Sequence, residues 1–267
     1  MSEEEHRSKI EALKAHKPPD SGCVTRCQGS KYVEDQPHSH RWNAAQQARA
    51  EKDVYTIPLD ENAAIPHWRK HALMRLGAGL VGTAKRKSPK NQLKPFYREW
   101  WPFPHNAHHI IPMGVLWSKV IDAAVAKVKD ENKQKMFDEV IKCFLVEPYN
   151  HNHQPNMITL PTKDKESMIL GLPIHLHGKN RDHPDYTKPV ASQVSAEIPP
   201  KYDAMATAVD EKKHVTEEEQ VKVKSDLQYI SETIYFAIIE LAKAKKLAGQ
   251  SLDQSADQIA TLAAQIG

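Results

Sequence analysis

Apolar residues recur at three- and four-residue spacing over long stretches of this chain, whereas strand-like runs are confined to two short segments. Trp117, Val120, Ile121, Ala124, Val125 and Val128 form one stripe, and Phe137, Val140, Ile141 and Phe144 form another. The polar run Lys129 to Gln134 separates them. Further on, Val223, Leu227, Ile230, Ile234, Ile238 and Leu241 make a third stripe, and Leu252, Ala256, Ile259 and Ala263 a fourth. A stripe of this kind gives a helix one apolar face, and that face must be buried against something. The expected fold class is therefore mainly α with a small β part (α+β). Cys143 falls on the second stripe and reads as core.

The rest of the chain divides by where this pattern fails. Residues 1–53 read as a polar, poorly packed and partly disordered arm, broken at Lys17-Pro18-Pro19-Asp20-Ser21-Gly22, with room for short helices at 4–16 and 41–53. Ala63 to Leu76 has a helical pattern that Gly77-Ala78-Gly79 breaks. No Gly-Lys-Ser/Thr follows these glycines, which excludes a phosphate loop. Residues 54–200 form the expected principal domain, with a helical insertion at 114–145. Residues 201–267 form a helical extension, whose long helix is expected from Thr216, with Glu217-Glu218-Glu219 at its start and Lys243, Lys245 and Lys246 at its end, as the helix dipole prefers.

No run of about 18 apolar residues is present, so no membrane-spanning helix is expected. The start Met1-Ser2-Glu3-Glu4-Glu5 is acidic, where a Sec signal needs a basic start and an apolar stretch. The expected location is the cytoplasm of the producing cell, with export by a machine that needs no such signal left open. Three cysteines make no disulfide framework. Cys23 and Cys27 are half of a zinc-site spacing without a second half.

Histidine is the unusual residue: there are 15, and eight lie between His105 and His183. Imidazole is both the commonest metal ligand and the usual base near neutral pH. Residues 105–112 read as a short strand turning at Pro112. Pro148, Asn150, Asn152, Pro155 and Asn156 argue for a loop, and Met157-Ile158-Thr159-Leu160-Pro161 for a second strand. A His- and Gly-rich stretch from Gly171 to His183 follows. Pro184 then suits the first turn of a helix through Tyr186 and Val190 that ends before Pro199-Pro200. Adjacent His108 and His109 in a strand point to opposite faces, so both serve one ion only if the strand is distorted.

A basic run precedes the histidines: Lys85, Arg86, Lys87, Lys90, Lys94 and Arg98, with no acid among them. Net charge is only +3, so the distribution and not the total points to a phosphate backbone. Trp100 and Trp101 beside it read as core, or as surfaces for base stacking.

The blocks Ala107-His108-His109-Ile110-Ile111-Pro112, Asn156-Met157-Ile158-Thr159-Leu160-Pro161, Leu172-Pro173-Ile174-His175 and His183-Pro184-Asp185-Tyr186-Thr187 together resemble the AHH family of the HNH/endonuclease VII nuclease superfamily, found as bacterial toxin domains. They span about a third of the chain. The resemblance implies a ββα-metal core embedded in helices. It implies His108, His175 and His183 as metal ligands, His109 as general base and Asn156 as the brace of the loop between the strands. His177 competes with His175 for the third ligand place. The long stretch between His109 and Asn156 departs from the family pattern, and helices are expected to fill it. The implied cofactor is one divalent ion (Mg2+, Zn2+ or Ni2+). The implied partners are nucleic acid, DNA ahead of RNA, and an immunity protein in the producing cell.

That residue set fits metal-dependent endonuclease chemistry. A divalent ion offsets the charge gathered on a phosphodiester under attack, and a neutral imidazole takes the proton of the attacking water. The alternative is a zinc-binding interaction module without catalysis. It has no need of a solvent-facing histidine beside its ligand, so His109 is the residue that discriminates the two.

Overall fold

The computed structural model of the chain describes residues 39–55, 86–87, 93–94, 105–146, 149–175 and 183–267. Expectations at 4–16, Cys23, Cys27, Ala63 to Gly82, Trp100, Trp101 and His177 lie outside these residues. The described part is mainly helical with small antiparallel sheets, which bears out the α+β class.

Ser39 caps the first helix, α1 (His40–Ala50), its side chain accepting from the Trp42 amide at 3.3 Å. A short α2 (Lys52–Tyr55) follows. Strands β1 (Arg86–Lys87) and β2 (Leu93–Lys94) pair antiparallel as a minimal ribbon. The central pair is β3 (His105–His109) with β4 (Met157–Pro161), antiparallel, with His108 opposite Ile158 and His109 opposite Met157. Both segments pair as the sequence predicts.

Between these two strands lies the expected helical insertion. Helix α3 (Met113–Val115) runs through a π-helical stretch (Leu116–Ile121) into α4 (Asp122–Val125). A 3₁₀ turn (Asp130–Asn132) then leads into α5 (Lys133–Val146). Trp117, Val120, Ile121, Ala124, Val140, Ile141, Cys143 and Phe144 are all buried, as their spacing requires. Each large side chain so buried contributes roughly 1.5–3 kcal/mol by transfer from water.

After β4 come α6 (Asp164–Leu170), α7 (Pro184–Glu197), a 3₁₀ turn (Pro199–Tyr202) and α8 (Asp203–Asp210). The long α9 (Lys224–Lys243) and α10 (Ala256–Ile266) close the described chain. Pro184 opens α7 as expected, and Val190 and Val194 turn its apolar side inward. None of these helices is long and apolar enough to cross a membrane.

Two local expectations fail. Helix α9 begins at Lys224 and not at Thr216. The Glu219 carboxylate bends back to accept from the Thr216 amide at 2.8 Å and its hydroxyl at 3.0 Å, so the acidic triplet makes a turn instead of a helix start. The end of the N-terminal arm is not loosely attached. Trp42, Ala44, Ala45, Ala48 and Tyr55 are buried, the Thr159 hydroxyl donates to the Ala44 carbonyl at 3.1 Å, and the Tyr55 hydroxyl donates to the Thr159 carbonyl at 2.8 Å. Strand β4 is buried along its whole length because α1 and α2 cover one of its faces.

Candidate metal centre

Strand periodicity sorts the side chains of β3 onto two faces. Asn106 and His108 share one, and His105, Ala107 and His109 the other. Two more segments bring histidines to the His108 face. His175 follows α6, its amide bonded to the Pro161 carbonyl at 2.8 Å, so it is anchored to the end of β4. His183 stands at the N-cap position of α7, and its carbonyl accepts the first helical bond, from Thr187.

The three rings meet with centroids 4.8–5.2 Å apart. One nitrogen from each lies within 4.8 Å of the others, the arrangement of a group able to hold a metal ion. His108 Nδ1 and His175 Nε2 are 3.2 Å apart. Two nitrogens bound to one tetrahedral zinc at 2.0–2.1 Å sit about 3.3 Å apart, so this pair already has the spacing of two ligands. His175 Nδ1 faces the Asn106 amide group at 3.0 Å. With the amide oxygen toward the ring, an orientation of equal shape, Asn106 accepts the Nδ1 proton and leaves the Nε2 lone pair for an ion. Tyr186 packs edge-on against His108 at 5.3 Å and donates its hydroxyl to the Ile110 carbonyl at 2.8 Å. It is a packing residue of α7, and burial pushes its phenol pKa up.

His109 lies on the opposite side of the strand, and here one expectation needs correcting. The imidazole does not stand in solvent: it is 5% exposed, because α1 and the 149–153 loop cover that face of β3. The His109 Nε2–H donates to the Asn152 side-chain carbonyl at 2.8 Å. The ring stacks on His151 with centroids 4.4 Å apart, and His40 of α1 lies 5.9 Å away. It is nonetheless among the residues that line the groove at the three histidines.

Asn156 is fully buried. Its side-chain oxygen accepts from the Ile111 amide at 2.7 Å and lies 3.2 Å from the Ser231 hydroxyl, which is shared with the Leu227 carbonyl at 2.7 Å, and its Nδ2 donates to the His151 carbonyl at 2.9 Å. It therefore ties the end of β3 to the loop before β4 and to α9. Of the basic run, Arg86, Lys87 and Lys94 lie on the β1–β2 ribbon, while Lys85, Lys90 and Arg98 fall outside the described residues.

The centre forms the floor of a groove of about 1050 Å³. One wall is the α7 stripe Pro184, Thr187, Lys188, Ala191 and Ser195, and the other runs from Pro112 to Lys119. No described lining residue is an acid. Neutral imidazoles leave the full charge of a bound divalent cation uncompensated, so the groove suits an anion. Asn106, Asn152 and Lys119 are the residues that the sequence reading missed. Asn106 was accessible in principle, being two places before His108 and so on the same face of the strand. Asn152 sits in an irregular loop whose contacts no spacing rule gives. No protein-family model, curated protein or solved structure matches the chain.

Proposed function

We propose that this protein is a metal-dependent endonuclease that hydrolyses phosphodiester bonds. The observation that supports this reading best is the convergence of His108, His175 and His183 on the floor of a groove lined by no described acid. His108, His175 and His183 hold the ion, and Asn106 orients His175. A divalent ion there supplies Lewis-acid charge to the phosphate and its leaving oxygen. Three protein ligands leave room for substrate, as catalytic sites require.

His109 is the remaining imidazole among the described lining residues. Its Nε2 is engaged by Asn152, so it takes the proton of the attacking water at Nδ1. Asn156 does not touch the reacting atoms; it holds Ile111, two residues beyond His109, against the loop before β4. The resemblance to toxin nuclease domains extends the proposal to DNA as substrate and to an antibacterial effector held in check by an immunity protein.

One observation favours the zinc-binding scaffold as a second reading: His109 is buried and hydrogen-bonded, as a structural residue would be. Incubation with supercoiled plasmid and with RNA, each with Mg2+, Zn2+, Ni2+ or EDTA, separates the two. Nicking that EDTA abolishes and a divalent ion restores is expected. Metal binding without cleavage of either polymer would leave the scaffold reading in its place.

A further inference from the structure

We infer that Lys119 binds a backbone phosphate of a nucleic-acid strand lying in the groove, and that the groove grips this strand without reading its bases. The inference rests on the nuclease reading and goes beyond it to the manner of recognition.

Lys119 belongs to the π-helical stretch Leu116–Ile121. Such stretches inside helices are frequent at functional sites. Here Leu116, Trp117, Val120 and Ile121 are buried, while Ser118 and Lys119 are exposed and line the groove. The Ser118 hydroxyl donates back to the Gly114 carbonyl at 2.8 Å, so its proton is not offered to the groove. Lys119 makes no ion pair or hydrogen bond among the described residues. Lys188, the cation of the facing wall, is paired with Asp185 at 2.7 Å. Lys127, Lys133, Lys142, Lys201, Lys213 and Lys243 are also ion-paired. Lys119 is thus an uncommitted ammonium in the groove that holds the three histidines.

The lining also shows what is missing. Base edges are read chiefly by Arg, Lys, Asn, Gln or acids, and unstacked bases by aromatic rings. Apart from the histidines, the described lining contains only Lys119 and Lys188 of these, and Lys188 is held by Asp185. Small side chains, hydroxyls and lysine remain, and these contact phosphate and sugar, which position a strand but carry no sequence information.

Labelled oligonucleotides of two unrelated sequences, in DNA and RNA form, test this by fluorescence anisotropy in EDTA over a salt series. Lys119→Ala should weaken binding of both sequences equally. It should reduce the slope of log affinity against log salt by about 0.7–0.9, the loss of one phosphate contact. Lys119→Arg should keep the slope, and calorimetric zinc affinity should be the same in all three proteins. The DNA and RNA arms identify which backbone is held. An unchanged slope in Lys119→Ala, or a loss confined to one sequence, overturns the inference while leaving a wild-type protein that binds and cleaves. A wild-type protein that binds zinc but, with Mg2+ or Zn2+ present, neither binds nor cleaves DNA or RNA removes the nuclease reading and this inference with it.

Discussion

The side-chain oxygen of Asn152 lies 2.8 Å from Nε2 of His109, and both residues are buried. A carbonyl oxygen only accepts, so this contact selects the imidazole tautomer with its proton on Nε2 and its lone pair on Nδ1. His109→Ala should lower cleavage by about 100-fold or more, the usual share of a positioned base. Metal affinity should stay unchanged, since the ligands occupy the other face of β3. Because the ring stacks on His151, the variant should also lose thermal stability. Asn152→Leu should lower kcat with little change in KM, and Asn152→Asp should recover part of it. Plasmid nicking, zinc calorimetry and melting curves on the same proteins decide the matter. Wild-type cleavage by His109→Ala would withdraw the base assignment.

Removal of any of His108, His175 or His183 should abolish tight metal binding and cleavage together. In the wild type, metal should raise the melting temperature, with roughly 2.7 kcal/mol of added stability at a free concentration 100 times Kd. Each ligand-to-alanine variant should lose that increment. Asn106→Leu should bind metal about 10–100-fold more weakly while keeping the fold, the usual effect of losing a residue that orients a ligand. Thermal melts with and without Zn2+ read all four. An equal metal increment in His175→Ala would exclude it as a ligand and turn attention to His177.

Gly171 ends α6 with φ at +75°, and a Cβ there would meet the Ala242 carbonyl oxygen at 2.2 Å. The left-handed conformation alone costs an L-residue about 1–2 kcal/mol, and the contact with the α9 backbone adds to this. Gly171→Ala should therefore destabilise by about 2 kcal/mol or more in urea unfolding. It should also weaken metal binding, because the segment from Gly171 leads directly to His175. Unchanged stability would contradict the observed packing of Gly171 against α9.

Burial draws the pKa of His153 down to about 4, against an ordinary value of 6.5. The folded state then binds fewer protons than the unfolded chain, so stability rises with pH across that interval. Its contribution is complete above about pH 6.5 and lost as pH falls toward 4. The full loss is on the order of 3 kcal/mol, at 1.36 kcal/mol per pKa unit. His153→Gln should flatten the pH dependence of unfolding free energy in this window. A slope identical to wild type would show that other groups carry the acid sensitivity.

The parts of the fold that could be read in the sequence were those set by periodicity. The stripe from Leu227 to Leu241 is the buried face of α9, and the block from Trp117 to Phe144 forms two helices. Pairing of β3 with β4 and the start of α7 at Pro184 followed from short signals of clear chemistry. The three histidines that could hold an ion were readable because histidine is dense between 105 and 183 and because the blocks around them resemble a known family. Helix α6 passed as a connector: seven residues are too few for a repeating stripe, though Asp164 in its first turn and Gly171 at its end are ordinary signals. The burial of His109 was not readable. It depends on α1 folding over a strand far along the chain, and nothing local to either segment records that contact.

The backbone of Ile174 is held on both sides by the chain at Gln250 and Leu252, and the Asp253 carboxylate accepts from the Asp185 and Tyr186 amides at 3.1 and 3.0 Å. The residue before His175 and the two residues that open α7 beside His183 are thus held by the 250–253 segment, with Asp253 lying 68 and 67 positions beyond Asp185 and Tyr186. This imposes a timetable on a chain emerging from the ribosome. All three histidines are translated well before Asp253, yet the frame that brings them together is incomplete until Asp253 is out. At ~5–20 residues per second, the delay is roughly 3–14 s. A nascent chain carries all three histidines throughout that interval without the frame that brings them together.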